Sequence, residues 1–274
     1  MKKIEFSPKN VLLMAFGVIE LIIYVTFNAL SASQPSDPIY LKYAGVLLCL
    51  AVSAAMIYLM RDSDAVVLTC AFVCTAISDL FILVLDTYYQ IGLVTFIFTQ
   101  TVYLYRLYKD RMDKIKYTLI VRFAVMLILL GLVDVIMETG INFMLAEVCV
   151  YIVMLAANVA DAFILSRRGL NNILFGVGLA LFLCCDICVG LDNAVDIIGL
   201  NLGSAGPVIQ FLIWVFYLPS QVLITFSVKE GGMCPKLTGK KSVAPVICPD
   251  EEQNDGEYVQ EQIDFGGAEK RNEK

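Results

Sequence analysis

Two aspartates lie inside long apolar runs of the sequence, where a carboxylate is costly to bury. Asp79 occurs in the stretch AISDLFILVLD, and Asp186 occurs in the stretch LFLCCDICVGLD. An ionisable side chain at membrane depth usually faces the interior of a helix bundle and marks a functional site. Two such carboxyl groups can divide their roles when they lie close together, because one stays protonated while the other stays ionised. The pair therefore predicts acid–base catalysis inside a protected interior.

Other carboxylates have simpler interpretations. Several lie near the ends of apolar runs, where they are expected to reach the lipid headgroups: Asp86, Asp134, Glu138 and Asp192. Asp161 is close in sequence to Arg167 and Arg168, and it is predicted to pair with one of them.

The residue types exclude several other chemistries. The chain has no histidine, which excludes a Ser–His triad, a Cys–His nucleophile and a histidine-ligated zinc ion. Cys185 and Cys188 form one C-x-x-C motif, but no second pair is present to complete a tetrahedral zinc site. The sequence has neither a P-loop nor a dinucleotide fingerprint. We therefore expect neither a metal ion nor a cofactor.

The elements that must position the two aspartates are membrane-spanning helices. Hydrophobic residues make up 59% of the 274 residues and charged residues 17%, against about 25% charged residues in soluble domains. A run of about 20 apolar residues is long enough to cross a bilayer. Eight such runs cover roughly residues 11–31, 41–60, 64–85, 88–108, 117–137, 142–165, 171–192 and 207–228. The sequence predicts an all-α integral membrane protein, a bundle of eight transmembrane helices.

The positions of lysine and arginine predict the orientation of the bundle, because basic loops stay on the cytoplasmic side. Basic residues cluster before the first run, after the second, between the fourth and fifth, between the sixth and seventh, and after the eighth. Both termini are therefore predicted to be cytoplasmic. Residues 1–230 are predicted to form the transmembrane domain. Residues 231–274 are rich in charge and lack periodicity, which predicts a disordered cytoplasmic tail. The net charge of −6 gives no reason to expect nucleic acid as a partner.

The third and seventh spans both run outward in this topology, so Asp79 and Asp186 are expected at a similar depth in the outer half of the membrane. Glu147 on the sixth span and Gln210 on the eighth fall near the same level, and Lys42 opens the second span just above it. These residues predict a polar pocket that opens toward the outer leaflet.

The fourth span adds a stripe of residues on one helical face. Gly92, Phe96, Gln100 and Tyr103 follow spacings of four, four and three, which places them on the same side of a helix. A buried glutamine and a buried tyrosine need hydrogen-bond partners. Gln100 and Tyr103 are therefore expected to face the interior, toward the third span and Asp79.

The two aspartate motifs resemble those of the YhhN family of multipass membrane proteins, whose characterised animal members are lysoplasmalogenases. The family typically has Gly-Asp in its third span, and this chain has Ser78 before Asp79. The family often has Ser-Asp in its seventh span, and this chain has Cys185 before Asp186.

The fourth and second spans extend the resemblance. The family has a G-x-x-x-F-x-x-x-H-x-x-Y pattern in its fourth span, and GLVTFIFTQTVY is similar except that Gln100 replaces the histidine. A lysine that opens the second span, here Lys42, is also typical of the family. The resemblance covers about residues 41–228.

The resemblance implies hydrolysis of the vinyl-ether bond of a lysoplasmalogen, which releases a fatty aldehyde and a glycerophospho-alcohol. The reaction passes through an oxocarbenium ion, and a pair of carboxylates stabilises the same kind of ion in glycosidases. Asp79 and Asp186 are the expected catalytic residues. The expected substrate-binding residues are Lys42 at the lipid phosphate, Gln100 and Tyr103 at the water or ether oxygen, and Glu147 and Gln210. The expected partners are a lysophospholipid substrate and membrane lipid, and the expected location is the plasma membrane of a bacterial cell.

Two other functions are compatible with the sequence. The first is a proton-coupled or lipid transporter, because intramembrane acids serve as proton relays and the third and seventh spans suggest a four-plus-four parallel repeat. Transporters often have broken helices, yet Pro219 is the only proline well inside a span. The second is a lipid-binding protein without catalysis, which the replacement of the family histidine by Gln100 favours.

Overall fold

The computed structural model describes residues 8–33, 38–136, 140–165, 169–198 and 203–228. Within these ranges the chain is helical and has no strand, which confirms the predicted all-α class. The helices are α1 (Pro8–Ser33), α2 (Ile39–Met60), α3 (Ser63–Asp79), α4 (Tyr89–Tyr108), α5 (Met112–Ile136), α6 (Phe143–Leu165), α7 (Leu170–Ile198) and α8 (Gly206–Phe226). A π-helical segment, Leu80–Val84, extends α3, and a short 3₁₀ turn, Gly203–Ala205, precedes α8.

Several predictions concern residues outside these ranges. The tail predicted for residues 231–274, the predicted headgroup contact of Glu138, and the arginines at 167 and 168 all lie outside the described residues. The chain divides into two units, Met1–Met233 and Cys234–Lys274, and only the first contains described residues.

Seven of the described helices are long and apolar enough to cross a membrane, so the chain is a multipass membrane protein. The exception is α4, because polar residues such as Gln90, Gln100 and Arg106 lower its mean hydropathy. The eight predicted spans therefore correspond to eight helices, of which only seven qualify by length and composition.

Six helices form a closed ring in which the contacts run α2, α3, α4, α6, α7, α8 and back to α2. The other two pack on the outside of this ring. Helix α1 contacts α2 and α8, and helix α5 contacts α6 and α4. Arg122 is the only residue of α5 that is buried, as expected for a helix that faces lipid on most sides.

The contact pattern has an internal repeat of four helices. Helices α1 to α4 can be exchanged one by one with α5 to α8, so that α1 takes the place of α5 and α5 that of α1. The order of helices around the ring stays the same, and the two outer helices exchange places. Under this operation α3 corresponds to α7. The two helices that bear Asp79 and Asp186 are therefore equivalent members of the two halves, as in parallel repeats related by an axis along the membrane normal.

Candidate active site

Asp79 and Asp186 lie within electrostatic range of each other in the ring. Asp79 is the last residue of α3 before the π-helical segment and is only 5% exposed, whereas Asp186 lies within α7 and is half-buried. Each lies about 24 Å from the first residue of its helix, at about 1.5 Å per residue. The two carboxyl groups are close enough to interact electrostatically. The structure thus brings together the two aspartates that the sequence predicts as a pair.

Two tyrosines hold these carboxyl groups. The hydroxyl of Tyr217 on α8 donates a hydrogen bond to Asp79 Oδ2, and the hydroxyl of Tyr151 on α6 donates one to Asp186 Oδ2. Each tyrosine also interacts electrostatically with the aspartate that it does not bond. Hydrogen bonds to a charged acceptor are short and strong, and they fix the orientation of the carboxylate. Four helices therefore contribute to one acid cluster.

Phenylalanine side chains connect the two tyrosines. The ring centroids of Phe96 and Tyr151 are 5.6 Å apart, those of Phe96 and Phe182 are 5.7 Å apart, and those of Phe182 and Tyr217 are also 5.7 Å apart. The result is a continuous aromatic wall from one Tyr–Asp pair to the other. Such a wall suits an apolar ligand, and aromatic faces attract a positive charge.

Lys42 joins the site from the second helix. Its Nζ lies 4.1 Å from the centroid of the Trp214 ring and 5.8 Å from that of Phe27. Trp214 in turn packs edge-on against Tyr217, with centroids 5.8 Å apart. Lys42 is only 3% exposed, because α1 and α8 cover its side chain.

The predicted stripe on α4 faces the interior, and Gly92, Phe96, Gln100 and Tyr103 are all buried. Its two polar members, however, do not contact Asp79 directly. Asn158 on α6 donates hydrogen bonds of 2.9 Å to both Oε1 and the backbone oxygen of Gln100.

Tyr103 packs against Phe175 on α7, with ring centroids 5.3 Å apart. Its hydroxyl is directed toward Thr75 without reaching hydrogen-bond geometry. Thr75 lies one turn before Asp79 on α3, so Tyr103 is on the cytoplasmic side of the acid cluster in the predicted orientation.

A close contact between α3 and α4 fixes the backbone next to Asp79. Ser78 Oγ donates a hydrogen bond of 2.6 Å to the backbone oxygen of Gly92. A Cβ atom on Gly92 would lie 2.4 Å from Ile82 Cγ1, so only glycine allows this approach. Ser78, which stands where the family typically has glycine, therefore has a bonding partner of its own.

The two remaining predicted residues differ in their surroundings. Glu147 is buried on α6, one turn from Tyr151, and its Oε2 has no hydrogen-bond partner among the described residues. Gln210 is exposed near the N-terminal end of α8, two turns before Tyr217, so the structure does not bring it to the acid cluster. Within the described ranges, no group of three or more His, Cys, Asp or Glu side chains is placed to hold a metal ion.

Asp161 pairs differently from the prediction. Its carboxylate lies 2.6 Å from Nη2 of Arg122 on α5, and Nη1 of the same arginine donates a 2.9 Å hydrogen bond to Asn158. Arg122 is hard to recognise as a partner from the sequence, because it lies within an otherwise apolar span and 39 residues before Asp161.

Arg106 is also not the loop residue that the charge pattern suggests. It lies in α4, where Nε and Nη2 donate to the two carboxylate oxygens of Asp64 at 2.9 and 2.7 Å. Both side chains are buried. The stripe could have revealed this position, because Arg106 continues it three residues after Tyr103.

The tyrosines of the acid cluster were missed as well, although a signal for them exists. Tyr151 follows Glu147 by four residues and Tyr217 follows Gln210 by seven, spacings that put each tyrosine on the face of a residue already singled out.

A model of the YhhN family matches residues 38–228, a segment that starts just before α2 and ends just after α8. It contains the whole ring of six helices and both aspartates. No curated protein and no solved structure gives a significant match. The matched segment makes up more than half of the chain, and the chain therefore belongs to the YhhN family, a family of lysoplasmalogenase-like membrane proteins.

Proposed function

We propose that this protein hydrolyses the vinyl-ether bond of lysoplasmalogens, with Asp79 and Asp186 as its acid–base pair. One observation carries the proposal: the two carboxyl groups come from equivalent helices and lie near each other. Each accepts a hydrogen bond from a tyrosine, and aromatic rings border both. A protonated carboxyl group beside an ionised one is the arrangement that oxocarbenium chemistry needs.

The reaction has two stages. One aspartate donates a proton to the outer alkene carbon, the double bond is lost, and the carbon attached to the ether oxygen becomes an oxocarbenium ion. The other aspartate stabilises this cation and takes a proton from the water that attacks it. In the collapse of the resulting hemiacetal, the hydroxyl gives its proton to the ionised aspartate and the ether oxygen receives one from the protonated aspartate. The bond between the carbon and the ether oxygen breaks, which yields a fatty aldehyde and the glycerophospho-alcohol. One water is consumed and no net proton.

Other side chains have roles in binding under this proposal. Lys42 attracts the lipid phosphate toward the mouth of the site, where exposed Gln210 also lies. Gln100, Tyr103 and Glu147 position the water or the ether oxygen. The substrate is a lysophospholipid that enters from surrounding membrane lipid.

The topology belongs to the same proposal. We place the protein in the plasma membrane of a bacterial cell with eight spans, both termini in the cytoplasm, and residues 231–274 as a cytoplasmic tail. The interior position of α4 supports the eighth span, because neighbouring helices supply partners for its polar residues. Polar groups are tolerated at membrane depth where protein surrounds them.

The test is aldehyde release from a lysoplasmalogen by the purified protein in detergent. Asp79→Asn and Asp186→Asn each keep the shape of the side chain but remove its acid–base function, so each is expected to lower kcat by about a hundredfold or more. Asp134→Asn, on the exposed face of α5, is the matched control and keeps the wild-type rate. Folded Asp79→Asn and Asp186→Asn proteins that both release aldehyde at the wild-type rate contradict the proposal.

The four-helix repeat supports a second candidate, a proton-coupled lipid transporter. Parallel repeats are common in transporters, and the substrate site lies where the two halves meet. Lipid movement across liposomes that contain the wild-type protein, without aldehyde release, favours this candidate. Aldehyde release without such movement favours the hydrolase.

A further inference from the structure

The middle of the bundle holds buried polar side chains beyond the acid cluster. We call this set the polar layer. It comprises Glu20 on α1, Cys49 on α2, Thr75 on α3, Tyr103 on α4, and Gln221 and Thr225 on α8, and all of them are at most 2% exposed. Such a concentration of polar groups in a membrane protein needs an explanation, since each must find a partner there.

Contacts connect the members of the polar layer. Cys49 Sγ lies 3.7 Å from Glu20 Oε1 and donates to it, and Cys49 also lies beside Thr225. Thr225 Oγ1 donates a 2.9 Å hydrogen bond to the backbone oxygen of Gln221. Tyr103 interacts with Cys49. The members of the layer are therefore neighbours, and they come from five helices.

Three atoms of the polar layer have no hydrogen-bond partner among the described residues: Glu20 Oε2, Tyr103 Oη and Gln221 Oε1. Buried polar atoms of this kind are rare in folded proteins, and ordered water commonly satisfies them. Two of the three are acceptors and the third is a hydroxyl, which both donates and accepts. Water can bond to all of them, whereas an anion cannot.

The polar layer lies next to the acid cluster along two helices. Thr75 precedes Asp79 by four residues on α3, and Gln221 follows Tyr217 by four residues on α8. Residues four apart lie above one another on the same helical face. Because Tyr217 donates its hydroxyl hydrogen to Asp79, both helices lead from the polar layer to the same carboxylate.

We propose that the polar layer is a water-binding chamber that holds the hydrolytic water and delivers it to Asp79. The delivery step rests on the proposed hydrolase function, but the binding of water does not. Since the chamber adjoins Asp79, this residue takes the proton from the attacking water. Asp186 is then the group that protonates the alkene carbon.

Synchrotron X-rays split water into hydroxyl radicals, which modify the side chains next to that water. Radiolytic labelling of the wild-type protein therefore tests whether the chamber holds water. Cys49 and Tyr103 are expected to be modified at rates approaching that of Tyr88, which is 68% exposed in the loop before α4, although both are buried. Phe72 is equally buried and lies outside the polar layer, so it is expected to remain unmodified. Cys49 and Tyr103 that stay as unreactive as Phe72 overturn the proposal.

Thr75→Val tests the delivery of water, since valine keeps the shape of threonine without its hydroxyl. We expect kcat to fall about tenfold while KM changes less than about twofold, because the lipid contacts are intact. The matched control is Thr101→Val on the exposed side of α4, which keeps the wild-type kcat. An unchanged kcat in Thr75→Val contradicts delivery through this chamber.

The two proposals fail in different ways. If the wild-type protein releases no aldehyde but Cys49 and Tyr103 are labelled, the hydrolase proposal fails and the water-binding chamber stands. If aldehyde is released and the two residues are not labelled, the chamber is wrong and the acid–base pair stands.

Discussion

The hydrogen bonds from Tyr151 and Tyr217 hold the carboxyl groups of Asp186 and Asp79 in place. Tyr217→Phe and Tyr151→Phe each remove one donor and leave the ring contacts with Phe182 and Phe96 in place. A hydrogen bond to a charged group contributes about 1.5–3 kcal/mol, and about 1.4 kcal/mol corresponds to a tenfold change in rate. Each variant is therefore expected to lose about tenfold or more in kcat, with an unchanged KM.

Aldehyde release under saturating and limiting substrate measures this effect. Tyr108→Phe is the control, because Tyr108 is also buried and its hydroxyl lies 3.0 Å from Thr118, away from the acid cluster. If Tyr217→Phe and Tyr151→Phe are as active as Tyr108→Phe, the tyrosines do not position the catalytic carboxylates.

At the scale of residues, a charged side chain within an apolar run is easy to recognise in the sequence. The residue that bonds to it is much harder to recognise. Asp79 and Asp186 are recognisable because burial makes a carboxylate expensive. Tyr151 and Tyr217 are marked only by their spacing from Glu147 and Gln210, since a tyrosine inside an apolar span is common and its hydroxyl needs only one partner. The aromatic contact of Lys42 with Trp214 is also hard to see in the sequence, because Trp214 comes from α8, far away along the chain.

At the scale of helices, a glycine allows α7 and α8, two neighbours in the ring, to pack closely. Gly178 on α7 faces α8, where a Cβ atom would lie 3.1 Å from the backbone oxygen of Ser220 and 2.8 Å from Ile224 Cγ1. Membrane helices commonly pack through such small residues. Since backbone cannot yield as a flexible side chain does, Gly178→Ala is expected to separate α7 from α8 and to destabilise the fold by about 1–3 kcal/mol.

Gly131→Ala is the matched control for Gly178→Ala. Gly131 also lies inside a helix, but no atom lies within 4 Å of a Cβ added there. Alanine is the better helix former, so Gly131→Ala is expected to be neutral or to stabilise by up to about 1 kcal/mol. Thermal unfolding in detergent compares the two. Equal midpoints for both variants would show that the α7–α8 contact tolerates separation.

The helix boundaries were largely predictable, because long apolar runs bounded by charges determine where a chain can cross a bilayer. Which helices form the ring and which lie outside it could not be predicted from the sequence. Composition does not distinguish α1 and α5, which lie outside the ring, from the six helices within it. Helix α5 is strongly hydrophobic, and Arg122 is its only buried residue. Helix α4 is less hydrophobic, yet it lies between α3 and α6 in the ring. A helix that faces lipid needs an apolar surface all round, but one enclosed by protein does not.

At the scale of the whole molecule, the repeat explains why two aspartates far apart in sequence meet. Two copies of a four-helix unit place their third helices at equivalent positions on opposite sides of one axis. An acid at the same depth of each unit then approaches its counterpart at that axis. The sequence indicates this repeat only through the matching positions of Asp79 and Asp186, since the two halves share little else that can be read from the chain. Contacts between α4 and α6 and between α8 and α2 make it visible.

The number of membrane spans, seven or eight, depends on whether α4 crosses the membrane. Its polar residues reduce its apolar character, but Gln100 and Arg106 are bonded by Asn158 and Asp64 within the ring, so their cost at membrane depth is offset. We therefore expect α4 to cross the membrane. Alkaline phosphatase, which is active only outside the cytoplasm, reports the side of each fusion point when the protein is made in bacteria.

Fusions that end on either side of α4, after Tyr88 and after Asp110, are expected to give opposite results, active for the first and inactive for the second. Fusions on either side of α2, after Pro38 and after Asp62, provide the control, because α2 is apolar enough to span by composition. An even number of spans also places both ends of the chain on the same side, so reporters at the two termini should agree. If the fusions around α4 give the same activity and the termini disagree, the protein has seven spans. The equivalence of the two halves would then not extend to their orientation in the membrane.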